Sequence, residues 1–171
     1  MSKVRDVSVW YPAYVALGSN LGDSMTTLKL AVKEMDDLPD TRLVCQSPWY
    51  RSEPWGTEDR QPDYLNGVAG LLTQLSAYEL LQRLFDIETS HGRQRTTGER
   101  YSARTLDLDL LLYHELEVDS GGLTVPHPRM HLRNFVIYPL ADIAPTIQMG
   151  KLGIVAHLRG GLPSEGLERA S

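Results

Sequence analysis

Residues 103–112, ARTLDLDLLL, carry two carboxylates, Asp107 and Asp109, one residue apart in a run of leucines. Acidic side chains are poor strand formers and costly to bury, so an ordinary core strand would exclude them. In an extended chain, residues two apart share a face with ~6.5 Å between their Cα atoms. Thr105, Asp107, Asp109 and Leu111 then lie on one side, and Leu106, Leu108, Leu110 and Leu112 on the other. An isolated D-x-D is more often the wet face of a half-exposed strand. Its alternative chemistry is metal binding, because two like charges that lose water need cations to compensate them. Magnesium takes oxygen ligands at ~2.0–2.1 Å, and two ions ~3.5–4 Å apart can be bridged by converging carboxylates.

The preceding segment shifts the balance. Arg93, Arg95, Arg100 and Arg104 fall within a short polar stretch whose only acid is Glu99. A solvated surface run would mix lysine with arginine, whereas every basic residue there is arginine. The planar guanidinium fork matches phosphate oxygens, so the combination points to a polyphosphate carried with its metal. His127 and Arg133 could add positive contacts, although His127 taken alone reads as structural. There is no G-x-x-x-x-G-K-S/T loop and no kinase-type glycine loop with H-R-D, and the turn GSNLGD is weak evidence for phosphate by itself. PDYLNG places Tyr64 and Asn66 two apart on one strand face. That pair offers either a stacking surface beside an amide, suited to a flat heterocycle with lactam-like edges, or simply a core tyrosine beside a turn asparagine.

These residues need elements to position them. Tyr14–Gly18 reads as a short buried strand ending in the glycine turn, followed by a helix with Ser24 as N-cap and Leu28, Val32 and Met35 at helical spacing. TRLVCQSPWYRS reads as a strand, EPWGTEDRQPD as a loop and YLNGVAGLLTQL as another strand. Ser76 and Glu79 form a capping-box pattern that opens a helix with Leu80, Leu84 and Ile87 on its apolar face. TLDLDLLLY completes a β-α-β-β-α-β series of the ferredoxin-like type, an α+β fold with an antiparallel sheet. HELEVDSGGLTVP predicts an added hairpin turning at Ser120–Gly122, and MHLRNFVIYPLADIAP a final short helix. The stretch from about Gly150 to Ser171 carries a weak pattern and many glycines, and no element is assigned to it.

The chain has 171 residues, enough for one domain with a proper core, and we expect a single domain with residues 1–13 and 150–171 as extensions of uncertain role. A net charge of −5 argues against a general nucleic-acid binder. Cys45 is the only cysteine, so neither an internal disulfide nor a cysteine-based zinc cluster is available, and a reducing compartment fits. No secretory signal and no apolar run of the ~20 residues that span a bilayer is visible. The expected location is the cytoplasm, without a membrane partner.

Taken together, the blocks resemble the 6-hydroxymethyl-7,8-dihydropterin pyrophosphokinase family. YVALGSNLGD, SPWYRSEPWG, QPDYLNGVA, IETSHGRQR, ERYSARTLDLDLLLY and LTVPHPRMHLRNFVIYPLADIAP occur in the family order, from Tyr14 to about Pro145. The resemblance implies transfer of pyrophosphate from ATP to the hydroxymethyl group of the reduced pterin, giving AMP, in folate biosynthesis. It implies two Mg2+ ions on Asp107 and Asp109. Arg93, Arg95, Arg104, His127 and Arg133 match positions that contact the triphosphate or the transferring group, and Arg100 lies in a mobile catalytic loop. The pterin would lie between Tyr64 and Phe135, read by Asn66, the Asp107 carboxylate and main-chain groups of Ser52, Pro54 and Trp55. Glu88, with main-chain groups of Leu110 and Thr124, would serve base and ribose. Tyr101, Ser102, Phe85 and Gly122 depart from the usual pattern. The resemblance implies the small-molecule substrates ATP and the hydroxymethyl-dihydropterin, and the chain is expected to be a monomer. A catalytically inactive ferredoxin-like module that binds pterin or nucleotide is the alternative. An RNA-binding module of the same fold would need aromatic residues on a basic sheet face, which is poorly met.

Overall fold

The apolar run that ends in GSNLGD becomes β1 (Tyr11–Ser19), which lies inside a six-stranded sheet. The described residues of this computed structural model are 8–53, 62–92 and 105–170. Around β1 the chain adds α1 (Ser24–Asp36), β2 (Thr41–Gln46), β3 (Tyr50–Ser52), β4 (Tyr64–Thr73), α2 (Ala77–Ser90) and β5 (Asp107–Tyr113). A hairpin of β6 (Val118–Ser120) and β7 (Leu123–Val125) follows, then α3 (Asn134–Ile143), α4 (Val155–Gly160) and β8 (Leu167–Arg169). The sheet order is β5-β1-β4-β3-β8, with β2 also paired to β4, and every pairing is antiparallel. The fold is α+β.

The two faces of the sheet bury separate clusters. Val15, Leu17, Ala69, Leu71, Leu108 and Leu110 point toward α1 and α2, where Leu28, Met35, Leu80 and Leu84 complete the larger core. Ala16, Val68 and Leu111 face the other way, toward Val136, Ile137 and Leu140 of α3 and Val155 of α4. Alternation along each strand therefore assigns residues to one core or the other.

Local signals explain most boundaries. The capping box is present as read: Ser76 Oγ accepts the Glu79 N–H, and Glu79 Oε2 accepts the Ser76 N–H. α1 is capped by Asp23, one residue earlier than the expected Ser24, because the Asp23 carboxylate accepts both the Thr26 N–H and the Thr26 hydroxyl. The expected strand TRLVCQSPWYRS is two strands. Ser47, Pro48 and Trp49 interrupt it, and proline has no N–H to give a ladder.

Two further differences matter for the site. Leu112 does not share a side with Leu108 and Leu110. Val15 pairs with Leu110 and Tyr14 with Leu112, so Leu111 is an extra residue and the alternation resets, sending Leu111 and Leu112 both to the α3 side. The glycine-rich end of the chain is ordered: α4 packs on α3, and β8 pairs with β3 as the edge of the sheet. The hairpin turns at Gly121–Gly122, both with positive φ, within the stretch expected.

Candidate active site

β1 carries small residues where it faces α3, and the flanking strands carry the chemistry. Gly18 lies opposite Asn66 of β4 on one side and Asp107 of β5 on the other. Ala16 lies opposite Val68 and Asp109 in the same way. The result is a shallow floor of backbone flanked by an amide and two carboxylates. Gly18 is needed by contact, since a Cβ there would meet Asn66 Oδ1 at 3.0 Å and the Tyr64 ring at 3.9 Å. Both aspartates are half-buried, while Leu106, Leu108 and Leu110 beneath them are buried in the larger core.

β5 is fixed from below as well as from the side. Glu88, in the last turn of α2, is 1% exposed and accepts the Leu108 N–H at 3.3 Å. At the start of the strand, Ser19 Oγ donates to the Thr105 carbonyl at 2.5 Å. The bulge at Leu111 has a use, because the Leu111 carbonyl accepts the His127 N–H at 2.9 Å and so seats the second residue after β7 beside the aspartates.

His127 is half-buried in the structure. Burial, with Arg133 and Arg129 nearby, pushes its pKa down to about 4 against the opposing pull of Asp107. Its Nδ1 accepts the Arg129 N–H at 3.2 Å, so the neutral ring holds its proton on Nε2 and offers a neutral donor. The same electrostatic relation shows that His127, Arg129, Arg133 and Asp107 converge. Arg129 was not singled out from the sequence; its place two residues after His127 was the available signal.

The β4 side holds the aromatic and amide residues. Tyr64 pairs with Ser52, and Asn66 with Tyr50. The Asn66 amide donates to Ser52 Oγ at 2.7 Å in a buried bond, which fixes the orientation of its carbonyl. Ser52 and Phe135 line one cavity of about 280 Å3, which links α3 to this side. Arg133 sits 5.9 Å from the centre of the Phe135 ring. At the start of β4, Asn20 Nδ2 donates to the Pro62 carbonyl at 3.1 Å. Leu110 stands in the ladder opposite Val15, and Thr124 donates its hydroxyl to Asp119 at 2.9 Å within the hairpin. Pro54, Trp55, Arg93, Arg95, Arg100 and Arg104 lie outside the described residues, as do Tyr101 and Ser102.

The family model described as 7,8-dihydro-6-hydroxymethylpterin-pyrophosphokinase (HPPK) matches residues 14–145. The chain belongs to this family. The 2-amino-4-hydroxy-6-hydroxymethyldihydropteridine pyrophosphokinase of Pseudomonas aeruginosa is 46% identical over 156 residues, covering 91% of this chain and 94% of the relative. The pyrophosphokinase of the same description from Haemophilus influenzae is 44% identical over 146 residues, covering 85% and 89%. Among solved structures, a triple mutant of Plasmodium falciparum HPPK-DHPS superposes with a TM-score of 0.75 at 12% identity, a likeness that speaks for the fold alone. The match covers 96% of this chain, which spans about half the length of that structure, 48%. The HPPK match begins at Tyr14 and ends at Pro145, so it contains the floor, both aspartates and Phe135, and leaves α4 and β8 outside.

Among the described residues, no three His, Cys, Asp or Glu side chains converge as a metal cage. The donor set that is present, two carboxylates on one strand face, suits Mg2+, which keeps water and takes further oxygens from phosphates instead of requiring a protein cage.

Proposed function

We propose that the row Asp107–Gly18–Asn66 is the centre of the active site, with ATP on the β5 side and the pterin on the β4 side. As a member of the HPPK family the chain is an enzyme, a pyrophosphokinase of folate biosynthesis. It transfers pyrophosphate from ATP to the hydroxymethyl group of 6-hydroxymethyl-7,8-dihydropterin, releasing AMP. The observation that carries our placement is the register of β1, which puts a recognition amide and a carboxylate on either side of one glycine.

In this reading Asp107 and Asp109 hold two Mg2+ ions. When bound, the metal neutralises the polyphosphate and polarises the reacting oxygens. The chain's own residues do the positioning. Arg133, His127 and the sequence-placed Arg93, Arg95, Arg100 and Arg104 bind the triphosphate, with His127 donating from Nε2 as a neutral group. Glu88, Leu110 and Thr124 serve the nucleoside end. Tyr64 and Phe135 stack on the pterin, whose edge meets Asn66, Asp107, Ser52, Pro54 and Trp55. No side chain in this set is a dedicated general base, so alignment of the two substrates and charge stabilisation supply most of the rate.

Strand order and connectivity support a ferredoxin-like core, with β2 and β3 together filling one strand position. We infer a single domain over residues 1–171 that works as a cytoplasmic monomer without nucleic-acid or membrane partners. No helix among the described residues is long and apolar enough to cross a membrane. Incubation with ATP, Mg2+ and the hydroxymethyl-dihydropterin should yield AMP and the pterin diphosphate in equal amounts by chromatography. Formation of ADP, or no turnover with both substrates saturating, would overturn the reading.

A further inference from the structure

We propose that residues 162–170, beyond the segment that defines the family, form a strap that positions Phe135 and Ser52 and so sets pterin affinity. This rests on the reading that the pterin lies against Phe135.

The turn of α3 that carries Phe135 is poorly held by its own helix. Arg133 at the N-cap position provides no side-chain cap, and Pro139 has no N–H to give to the Phe135 carbonyl four residues earlier. The tail supplies what the helix lacks. Asn134 Nδ2 donates to the Pro163 carbonyl at 2.9 Å and to the Glu165 carbonyl at 3.2 Å. One turn on, the Tyr138 hydroxyl donates to the Leu162 carbonyl at 2.9 Å. Further along the same helix, Asp142 receives the Tyr50 hydroxyl and Arg169 Nη2, the latter at 3.0 Å, and Arg169 Nε also donates to the Tyr50 oxygen at 3.2 Å.

The same tail holds the other half of the pocket. β3 has three residues, and β8 covers its outer edge with Ser52 opposite Leu167 and Tyr50 opposite Arg169. The Ala170 N–H extends the contact to the Trp49 carbonyl at 2.8 Å. Without the tail, β3 would be an exposed three-residue edge and the first turn of α3 would lose its outside bonds. Leu162, Pro163 and Gly166 form the far wall of the cavity whose near wall is Ser52 and Phe135. The aspartates do not depend on this arrangement. In the cross-strand row Asp107–Gly18–Asn66–Tyr50–Arg169 they stand four strand spacings from the tail, ~19 Å.

Asn134 and Arg169 are thus positioning residues, and their effect should fall on one substrate. In the full-length chain, Asn134→Ala and the double variant N134A/R169A should raise the KM for hydroxymethyl-dihydropterin about five- to tenfold. The KM for ATP and kcat should stay within twofold, and Arg169→Lys, which keeps the charge beside Asp142 but loses the second donor to Tyr50, should restore only part of what Arg169→Ala loses. Amide hydrogen exchange of residues 162–170 should speed up in the same variants. A role in stability alone would lower the melting temperature while leaving the two KM values in their original ratio. A pterin KM within twofold of the parent in the double variant overturns the proposal, as does an equal rise in both KM values. Phe135→Ala separates the two levels of inference. If it weakens pterin binding and the double variant does not, only the strap fails; if Phe135→Ala has no effect, the placement of the pterin fails first.

Discussion

Asp107 and Asn66 are placed by a backbone ladder, whereas Phe135 depends on side-chain bonds. The floor formed by β5, β1 and β4 is a continuous antiparallel ladder, with the larger core below it and Glu88 pinning the strand that bears the carboxylates. The opposite wall joins a three-residue strand, paired on both edges, to the first turn of an uncapped helix, which Asn134, Tyr138 and Asp142 tie to the tail and to Tyr50. The difference matches the chemistry asked of each. Under the proposed function, groups that would hold metal and phosphate must keep fixed separations, and ladder geometry gives them. A stacking wall needs only to reach a flat ring, and side-chain bonds can set that position without a full sheet.

The largest effect should come from the floor. Asp109→Ala removes one of two half-buried carboxylates and should lower kcat on the order of 10^3-fold, the scale for losing an electrostatic group at oxygens that gain charge. The far-UV circular dichroism spectrum should be unchanged, because the backbone pairing with Ala16 stays in place. Turnover near the parent rate would show that the floor does not carry the chemistry.

Much of the floor could be read along the chain, because its signals are periodic and local. The D-x-D alternation, the capping box at Ser76 and the glycine turns each depend on neighbours a few residues away. The register that sets Gly18 between Asn66 and Asp107 could not be read, since it is a relation among three strands. The bulge at Leu111 was hidden in a run of leucines that satisfies either face. The elements of the tail, α4 and β8, are too short to show a period in the sequence. Their bonds run to partners such as Tyr50, 119 positions from Arg169. The downward pKa shift of His127 likewise depends on burial and on Arg133, which the composition of TVPHPR does not show.

The floor's electrostatics can be tested by pH. The folded pKa of His127 lies near 4, below the ordinary value of 6.5, so the folded chain refuses a proton that the unfolded chain accepts. The resulting stability is fully present above pH 6.5 and is lost as pH falls toward 4. Denaturant titrations at pH 7 and pH 4.5 should show an excess loss in the parent over His127→Gln of about 1–3 kcal/mol, discounted for the partial exposure of the ring. Identical pH slopes in the two chains would mean that His127 is not held neutral.

Steric tightness at Gly18 distinguishes the two sides of the floor. In Gly18→Ala the new Cβ stands 3.0 Å from Asn66 Oδ1, and Asn66 cannot swing freely because its amide is bonded to Ser52. The expected cost is about 1–2 kcal/mol in stability, with a pterin KM raised roughly tenfold and an ATP KM within twofold. An unchanged pterin KM would remove Gly18 from the site.

The smallest effect should come at the joint between the two walls. Ser52 Oγ accepts the Asn66 amide in a buried bond of 2.7 Å, so it ties the amide of the floor to the strand that the tail covers. Ser52→Ala leaves the backbone pairing with Tyr64 and Leu167 in place and removes only that acceptor. The loss in stability should be about 1–2 kcal/mol, the cost of a buried donor without its partner. The pterin KM should rise about threefold, because Asn66 keeps its place in the ladder and loses only the bond that orients its carbonyl. If Ser52→Ala weakens pterin binding as much as N134A/R169A, the tail acts through the Ser52–Asn66 bond and the two walls form one mechanical unit. A clearly smaller effect assigns the greater part of the strap's influence to Phe135.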